Sequence, residues 1–514
     1  MEVSLIMNGL KSSKACGPNS IPSRILDDVS DKLIEPLTEI VNMSLKEGVF
    51  PTLNKEARVC PTFKKGDRFQ CENYRPISLL SNISKIFERV VYNRIEEFLT
   101  STKQLYPLQF GFRKNFSTNH ALLSIVEQVR EAMDSKMYSC GVFIDLEKAF
   151  DTVNHEILLQ KLNYYGIRGI GNAWLSSYLS GRNQTVRING ETSSNRAITC
   201  GVPQGSILGP LLFLIYINDM HLAVRKSTIY HFADDTNLLF SCKSVKELRK
   251  TMNNDLKCLY EWLCANRLSL NTKKTEFIIF TAPRSCCNER VTLTLNRTKL
   301  YESSKIKYLG LILDNKLNWK AHVNELAKKL SRSIGLIAKI RPFCTLNVLR
   351  SLYFSLFNSH LSYGLSVWGG SISEILLSRL KTLQNRTLRI IFSSTRDNPV
   401  SCAEIRKTIR ILTIEDQMKV QISSLMWDYD HNLLPENLSH YFKRSNLVHN
   451  YETRGASKGN LFFSKVNTAS FGIKSFKYQG VKTLNHLLNE KLYQNSKSKA
   501  SFLKKLKSEL ILQY

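Results

Sequence analysis

The chain has 514 residues, of which 43% are hydrophobic and 10% aromatic, enough to bury a large core and too many for one compact domain. Lys and Arg number 72 against 43 Asp and Glu, and the resulting charge of +29 points to a polyanionic partner, nucleic acid ahead of an acidic membrane surface. The start lacks a basic stretch followed by a long apolar one, the longest apolar run (Leu208 to Ile217) is short of the roughly 20 residues a bilayer span needs, and the 12 cysteines form neither a CxxC pair nor a zinc spacing. Secretory signals, membrane spans and disulfide scaffolds are thereby set aside, and the cysteines read as reduced residues of an intracellular protein.

No repeat of 20 to 50 residues is visible. In chain order, helical spacing puts Val91, Ile95, Phe98 and Leu99 on one face, then Leu122, Ile125, Val126, Val129 and Met133 on another. Gly141 to Ile144 reads as a strand running directly into Asp145, with a helix expected to open near Asp151 and Thr152. Thr185 to Ile188 is a second strand. Ile229 to Phe232 and Leu238 to Phe240 flank Asp234-Asp235, which predicts a β-hairpin with both carboxylates at its tip. Ser244 with Glu247 is a capping box, opening a helix whose Val245, Leu248, Met252, Leu256, Leu259 and Trp262 face one side. A strand at Glu276 to Phe280 and a helix carrying Val323, Leu326, Leu330, Ile334 and Ile337 follow. Strands and helices out of strict alternation indicate an α+β fold. Residues 441 to 514 carry 14 Lys or Arg against 3 Asp or Glu, interleaved with Tyr441, Phe442, Phe462, Phe463, Phe471, Phe476 and Tyr478. Such a segment either grips phosphates and stacks bases or is a solvated basic surface, and the sequence leaves both open.

Taken alone, Asp-Asp in a turn is an ordinary turn pair, and Asp145 or Asp151 after a strand is an ordinary helix cap. Together they suggest more. Carboxylates gathered in one site repel and stay ionised only around a cation, and oxygen ligands without a Cys or an obvious His partner favour Mg²⁺ over zinc. His231, on a strand, reads as a packing residue. Two such ions can align an attacking hydroxyl and a leaving oxygen for phosphoryl transfer. Lys64-Lys65-Gly66-Asp67 and Asn73 to Ser78 put cations on loops able to hold a triphosphate, Gly201 to Pro210 lets backbone approach a ligand around Gln204, and Asn271 to Thr275 presents a lysine.

The ordered set of these motifs, with Gln109-Phe110-Gly111-Phe112-Arg113 and Tyr308-Leu309-Gly310, resembles the reverse transcriptases of non-LTR, LINE-type retrotransposons, nearest to jockey-like elements. The resemblance extends through Ser359 to Gly364, Trp368-Gly369 and Leu383 to Arg386 to His449 to Arg454 and a terminal helix at Phe502 to Leu512, close to the whole chain. It implies a right-hand polymerase with fingers over 1–135, a palm over 136–315, a thumb over 316–400 and a basic carboxyl-terminal domain over 401–514. It further implies that Asp145, Asp234 and Asp235 hold two Mg²⁺, that Phe150 is the steric gate against a ribose 2′-OH, and that Arg75 and Lys65 contact the triphosphate. Gln204 would lie beneath the templating base and incoming nucleotide, Lys274 near the leaving pyrophosphate, and Tyr308, Leu309 and Gly310 would form the primer grip. The implied partners are an RNA template, a DNA primer and deoxynucleoside triphosphates, with no membrane, in the cytoplasm and nucleus. Met1 stands almost at the first motif, so the amino-terminal endonuclease of such elements is expected to be absent, which leaves the source of the priming nick open and a separate endonuclease or an element RNA-binding protein as candidate partners. Cys16-Gly17-Pro18-Asn19-Ser20, Asn54-Lys55 and Leu484-Asn485 depart from the family's usual Pro-Gly-Pro-Asp-Gly, Trp-Lys and Trp-Asn, a drift that keeps open a copy that binds nucleic acid without polymerising.

Overall fold

Successive residues of a strand point to opposite faces of a sheet, and here the two faces carry two different cores. A computed structural model describes residues 2–9, 17–18, 21–282, 291–393, 399–448 and 459–514. The cysteine pair 286–287 and the 449–454 motif lie outside the described residues, as do Cys16, Asn19 and Ser20. The strands are β1 (Glu56–Phe63), β2 (Tyr74–Leu79), β3 (Tyr138–Ile144), β4 (Arg182–Ile188), β5 (Glu191–Thr192), β6 (Arg196–Ile198), β7 (Thr228–Phe232), β8 (Asp235–Cys242), β9 (Glu276–Phe280), β10 (Thr294–Leu295), β11 (Thr298–Lys299), β12 (Tyr301–Glu302), β13 (Lys305–Tyr308) and β14 (Leu311–Asp314). The central sheet runs β12-β9-β3-β8-β7, with every neighbour antiparallel except β12 on β9. A second sheet joins β2, β1 and β4, with β5 and β6 on β4.

Cys140, Val142, Leu238, Phe277 and Ile279 face one core, built with helices Asn82–Ser101, His155–Tyr164, Leu208–Ile217 and Val245–Ala265. Tyr230, Leu239, Ile278 and Phe280 face the other, built on helices Thr118–Asp134 and Lys320–Ile340 and continuing to Phe502. The expected helix opens at Val245 with Ser244 as its N-cap, whose hydroxyl accepts the Glu247 N–H. Phe98 is less buried than its helical spacing suggests, since it lies at the rim of its face. The helix expected near Asp151 opens only at His155, capped by the Asn154 side chain on the Ile157 N–H (3.0 Å). Residues before it are taken up by a turn with Lys148 in the left-handed region (φ 46°), closed by Asp151 N–H to Lys148 O (2.8 Å).

Residues after 400 do not form a loose basic tail. Phe442, Phe471 and Phe476 are buried in the second core, which removes them as base-stacking platforms and leaves Phe463 exposed. The attachment runs through helix Thr118–Asp134. Glu127 pairs with Arg130 (2.8 Å, both buried) and accepts the Lys477 N–H (3.1 Å), while Asp134 accepts N–H groups of Asn467 (2.9 Å) and Thr468 (2.7 Å). The departures from the family pattern are absorbed: Leu484 is fully buried, Asn485 bonds both backbone groups of Leu461, and Asn54 accepts from the Ser81 hydroxyl. Among the described residues no helix is long and apolar enough to cross a membrane.

Candidate active site

Two aspartates sit at the tip of the β7–β8 hairpin because only Ala233 and Asp234 separate Phe232 from Asp235, which pair across the turn. A two-residue connection needs a positive φ, and Ala233 supplies it (56°) at a position that favours glycine. The third carboxylate comes from the neighbouring strand. Antiparallel register sets Ile144 of β3 opposite Thr236 of β8, so the next residue, Asp145, leaves the sheet beside Asp235.

The charges of these residues act on one another. Burial on the protein side, then the negative charges of Asp234 and Asp145, push Asp235 up to about 6, with Lys64 pulling it back. Asp234 is likewise raised, by burial first and then by Asp145, against its own backbone N–H and the charges of Lys64 and Arg75. Both side chains keep an open side to solvent. His231 is buried, bonds Thr236 Oγ1 through Nδ1 (3.0 Å), and is held by burial down to about 3, so it packs uncharged, as expected.

The surrounding loops bring most of the sequence-predicted residues to this place. Lys274 Nζ stands 3.5 Å from Asp145 Oδ2, on a turn tied to Asp145 by Asn271 N–H to Asp145 O (2.9 Å). Arg75 on β2 faces Asp234, and Lys64, one residue before the predicted Lys65, is the β1-end cation whose charge reaches both hairpin aspartates. Lys64 N–H donates to Asn73 O (2.8 Å), carrying the β1–β2 pairing one residue further, while Lys65 lies in the bend that follows, a difference that composition alone could not show. Gln204 donates to Asp151 Oδ1 (2.9 Å), and its carbonyl accepts the Ser78 N–H (2.7 Å), fastening the Gly201–Pro210 loop to β2. A Cβ at Gly205 would collide with the Ser78 carbonyl, so that seam requires glycine. Phe150 stacks on Phe213 (4.3 Å) and meets the edge of Phe112 (6.2 Å), which fixes its ring. Beneath the loop, buried Glu88 accepts N–H groups of Ile207 (2.6 Å) and Leu208 (3.3 Å).

Leu309 and Gly310, both with positive φ, form the two-residue turn between β13 and β14. Tyr308 is buried against Phe143 (5.4 Å) and near enough to Asp235 for that charge to raise its hydroxyl pKa. Tyr363, donating its hydroxyl to Leu309 O (2.6 Å), buttresses the turn. Sequence reasoning set Lys64 among the loop cations able to hold a triphosphate but singled out Lys65, quoted Tyr363 within a motif without a role, and passed over Glu88.

Among the described residues no three His, Cys, Asp or Glu side chains are drawn tightly enough to cage an ion by themselves. That suits magnesium, which keeps several waters and takes one or two carboxylates plus substrate phosphates. The hard-oxygen donor set and the mutual repulsion of the hairpin aspartates both fit a divalent cation.

A mixed sheet carrying carboxylates on a hairpin and an adjoining strand end, faced by cations on β2 and the flanking loops, is an arrangement suited to metal-assisted phosphoryl transfer. Residues 63–313 match the family model described as reverse transcriptase (RNA-dependent DNA polymerase). It is 30% identical over 440 residues to the probable RNA-directed DNA polymerase from transposon BS of Drosophila melanogaster, covering 81% of this chain and 47% of that one. It is 31% identical over 416 residues to the RNA-directed DNA polymerase from the mobile element jockey of the same species (77% and 44%), and 27% identical over 443 residues to a Pol polyprotein from the type-1 element R1 of Bradysia coprophila (84% and 41%). The chain thus spans under half the length of these curated relatives. The family generally uses divalent metal ions.

Proposed function

We propose that the chain is the RNA-directed DNA polymerase of a non-LTR retrotransposon, extending a DNA primer on an RNA template with deoxynucleoside triphosphates. The observation that carries this reading is the β3–β8 register, which joins Asp145 to the hairpin aspartates opposite Lys64 and Arg75. In this reading 1–135 form the fingers, 136–315 the palm, 316–400 the thumb, and 401–514 a carboxyl-terminal domain. The nine described cysteines, all free thiols, suit work inside the cell, in cytoplasm and nucleus.

Asp145 and Asp234, supported by Asp235, would hold two Mg²⁺, which when bound supply charge neutralisation at the attacking and leaving oxygens. Lys64 and Arg75 bind and orient the triphosphate, with Lys65 beside them, and Lys274 offers a cation to the departing pyrophosphate. The Phe150 ring, held by Phe213, excludes a ribose 2′-OH by bulk. Gln204 sets the floor under the base pair, and Tyr308, Leu309 and Gly310 place the primer end. The test is primer extension on an RNA template with Mg²⁺ and the four deoxynucleotides, beside Asp234→Ala. The expected result is extension by the wild type only, with RNA binding kept in both because binding rests on the +29 charge. RNA binding without extension by either protein would replace this reading with that of a nucleic-acid-binding copy.

A further inference from the structure

We infer that Gln109 is a positioning residue that locks the turn carrying Asp234. The inference rests on the polymerase reading for its consequence but on geometry for its content. Segment Tyr106–Arg113 is fastened to the sheet at several points. Tyr106 N–H donates to Asn218 Oδ1 (2.8 Å), its hydroxyl donates to Ile229 O (2.9 Å), and Arg113 Nη1 donates to the carbonyls of Tyr106 (2.9 Å) and Gln109 (3.2 Å). His231 N–H to Leu108 O (3.0 Å) and Phe110 N–H to His231 O (2.9 Å) then lay the segment alongside β7 as an added edge.

From this frame the Gln109 side chain, 3% exposed, reaches the hairpin turn. Its Oε1 accepts two backbone N–H groups, from Gly111 (2.9 Å) and from Ala233 (3.1 Å), the residue immediately before Asp234. Both partners are donors, so the facing atom is the oxygen. A Cβ at Gly111 would collide with the Ala233 nitrogen, which explains the glycine two residues on. Ala233 holds a left-handed φ without being glycine, and a strained residue keeps such a conformation only where its surroundings over-determine it. Among the described residues the Gln109 amide nitrogen has no hydrogen-bond partner, so the side chain's directed contribution is made by its oxygen.

The test compares wild type, Gln109→Met, which keeps the volume and loses the acceptor, and Gln109→Glu, which restores it. Single-nucleotide incorporation gives kcat and KM, and hydrogen exchange of the 229–236 peptide reads the Ala233 N–H directly. We expect Gln109→Met to lower kcat by about tenfold or more, with KM for the nucleotide and primer-template Kd within about twofold, because a small misplacement acts on the reacting geometry rather than on binding. Exchange should speed by about tenfold in Gln109→Met and return toward wild type in Gln109→Glu. Unchanged exchange in Gln109→Met, or equal exchange in both variants, overturns the inference. Exchange that responds as expected in a wild type that never extends a primer instead refutes the polymerase reading, so the two failures are distinct.

Discussion

Truncating Glu88 should weaken the amino-terminal core and the Gln204 loop together. The side chain is fully buried; its Oε2 accepts the Ile207 and Leu208 N–H groups and its Oε1 the Ser84 hydroxyl (2.9 Å), while the Arg182 guanidinium, 1% exposed, answers its charge. Burial raises the Glu88 pKa, and Arg182 and these donors partly reverse it. Glu88→Ala leaves two helix-opening N–H groups without an acceptor, at about 1–3 kcal/mol for each orphaned group, and a buried cation without its anion, at about 3–5 kcal/mol. These losses share one carboxylate and do not add, so about 4 kcal/mol is the working figure. At roughly 2–4 °C per kcal/mol for a cooperative unit of this size, the melting midpoint should fall by roughly 8–16 °C. The control is Glu131→Ala, which breaks a half-exposed pair with Lys477 (2.9 Å) worth under about 1 kcal/mol. Circular dichroism melts with nucleotide KM on the surviving folded fraction would test it. A Glu88→Ala midpoint within about 2 °C of the Glu131→Ala midpoint would refute the reasoning.

Lys64→Ala should raise nucleotide KM several-fold more than Lys65→Ala in steady-state extension, since only Lys64 reaches both hairpin aspartates; equal effects would reject that assignment. Phe150→Val should raise ribonucleotide incorporation relative to deoxynucleotide, read from competition gels, and an unchanged ratio would remove Phe150 as the gate. Asp235 has a folded pKa raised to about 6, so above that pH it ionises at a cost to stability unless a cation binds beside it. Asp235→Asn should therefore raise the metal-free melting midpoint at pH 7.5 while shrinking the further rise on adding Mg²⁺. Buried His231, held down to about 3 from the usual 6.5, stays neutral when folded and binds a proton when unfolded. Its stabilising contribution is full above about pH 6.5 and is lost as pH falls toward 3, so His231→Gln should flatten the acid fall in melting midpoint.

The hairpin and its carboxylates were legible because local patterns decide them: two apolar runs around Ala233–Asn237 leave little else for the chain to do, and β3 aims Asp145 by simple extension. The partners of that hairpin were not legible in the same way. Which lysine of a pair turns inward depends on strand register, and Glu88 looks like one more polar position on an amphipathic helix until the Leu208–Ile217 helix opens against it. Gln109 stood in a motif with no chemistry of its own, because its value comes from a backbone N–H 124 residues away. The carboxyl-terminal aromatics misled for a related reason: charge counting sees basic residues between rings but not the short helices that turn Phe442, Phe471 and Phe476 inward.

Packing of these late residues behind the central sheet makes the order of synthesis matter. Asp145 and the hairpin leave the ribosome early, yet the core supporting Tyr230, Leu239, Ile278 and Phe280 is closed by side chains as late as Phe502. A nascent chain with every carboxylate already translated has helix Thr118–Asp134 on that face of the sheet but not yet the helices from Lys320 onward that complete the core. Completion of that core is thus tied to translation of the distal third, so that an interrupted chain loses it before any of the three aspartates is lost.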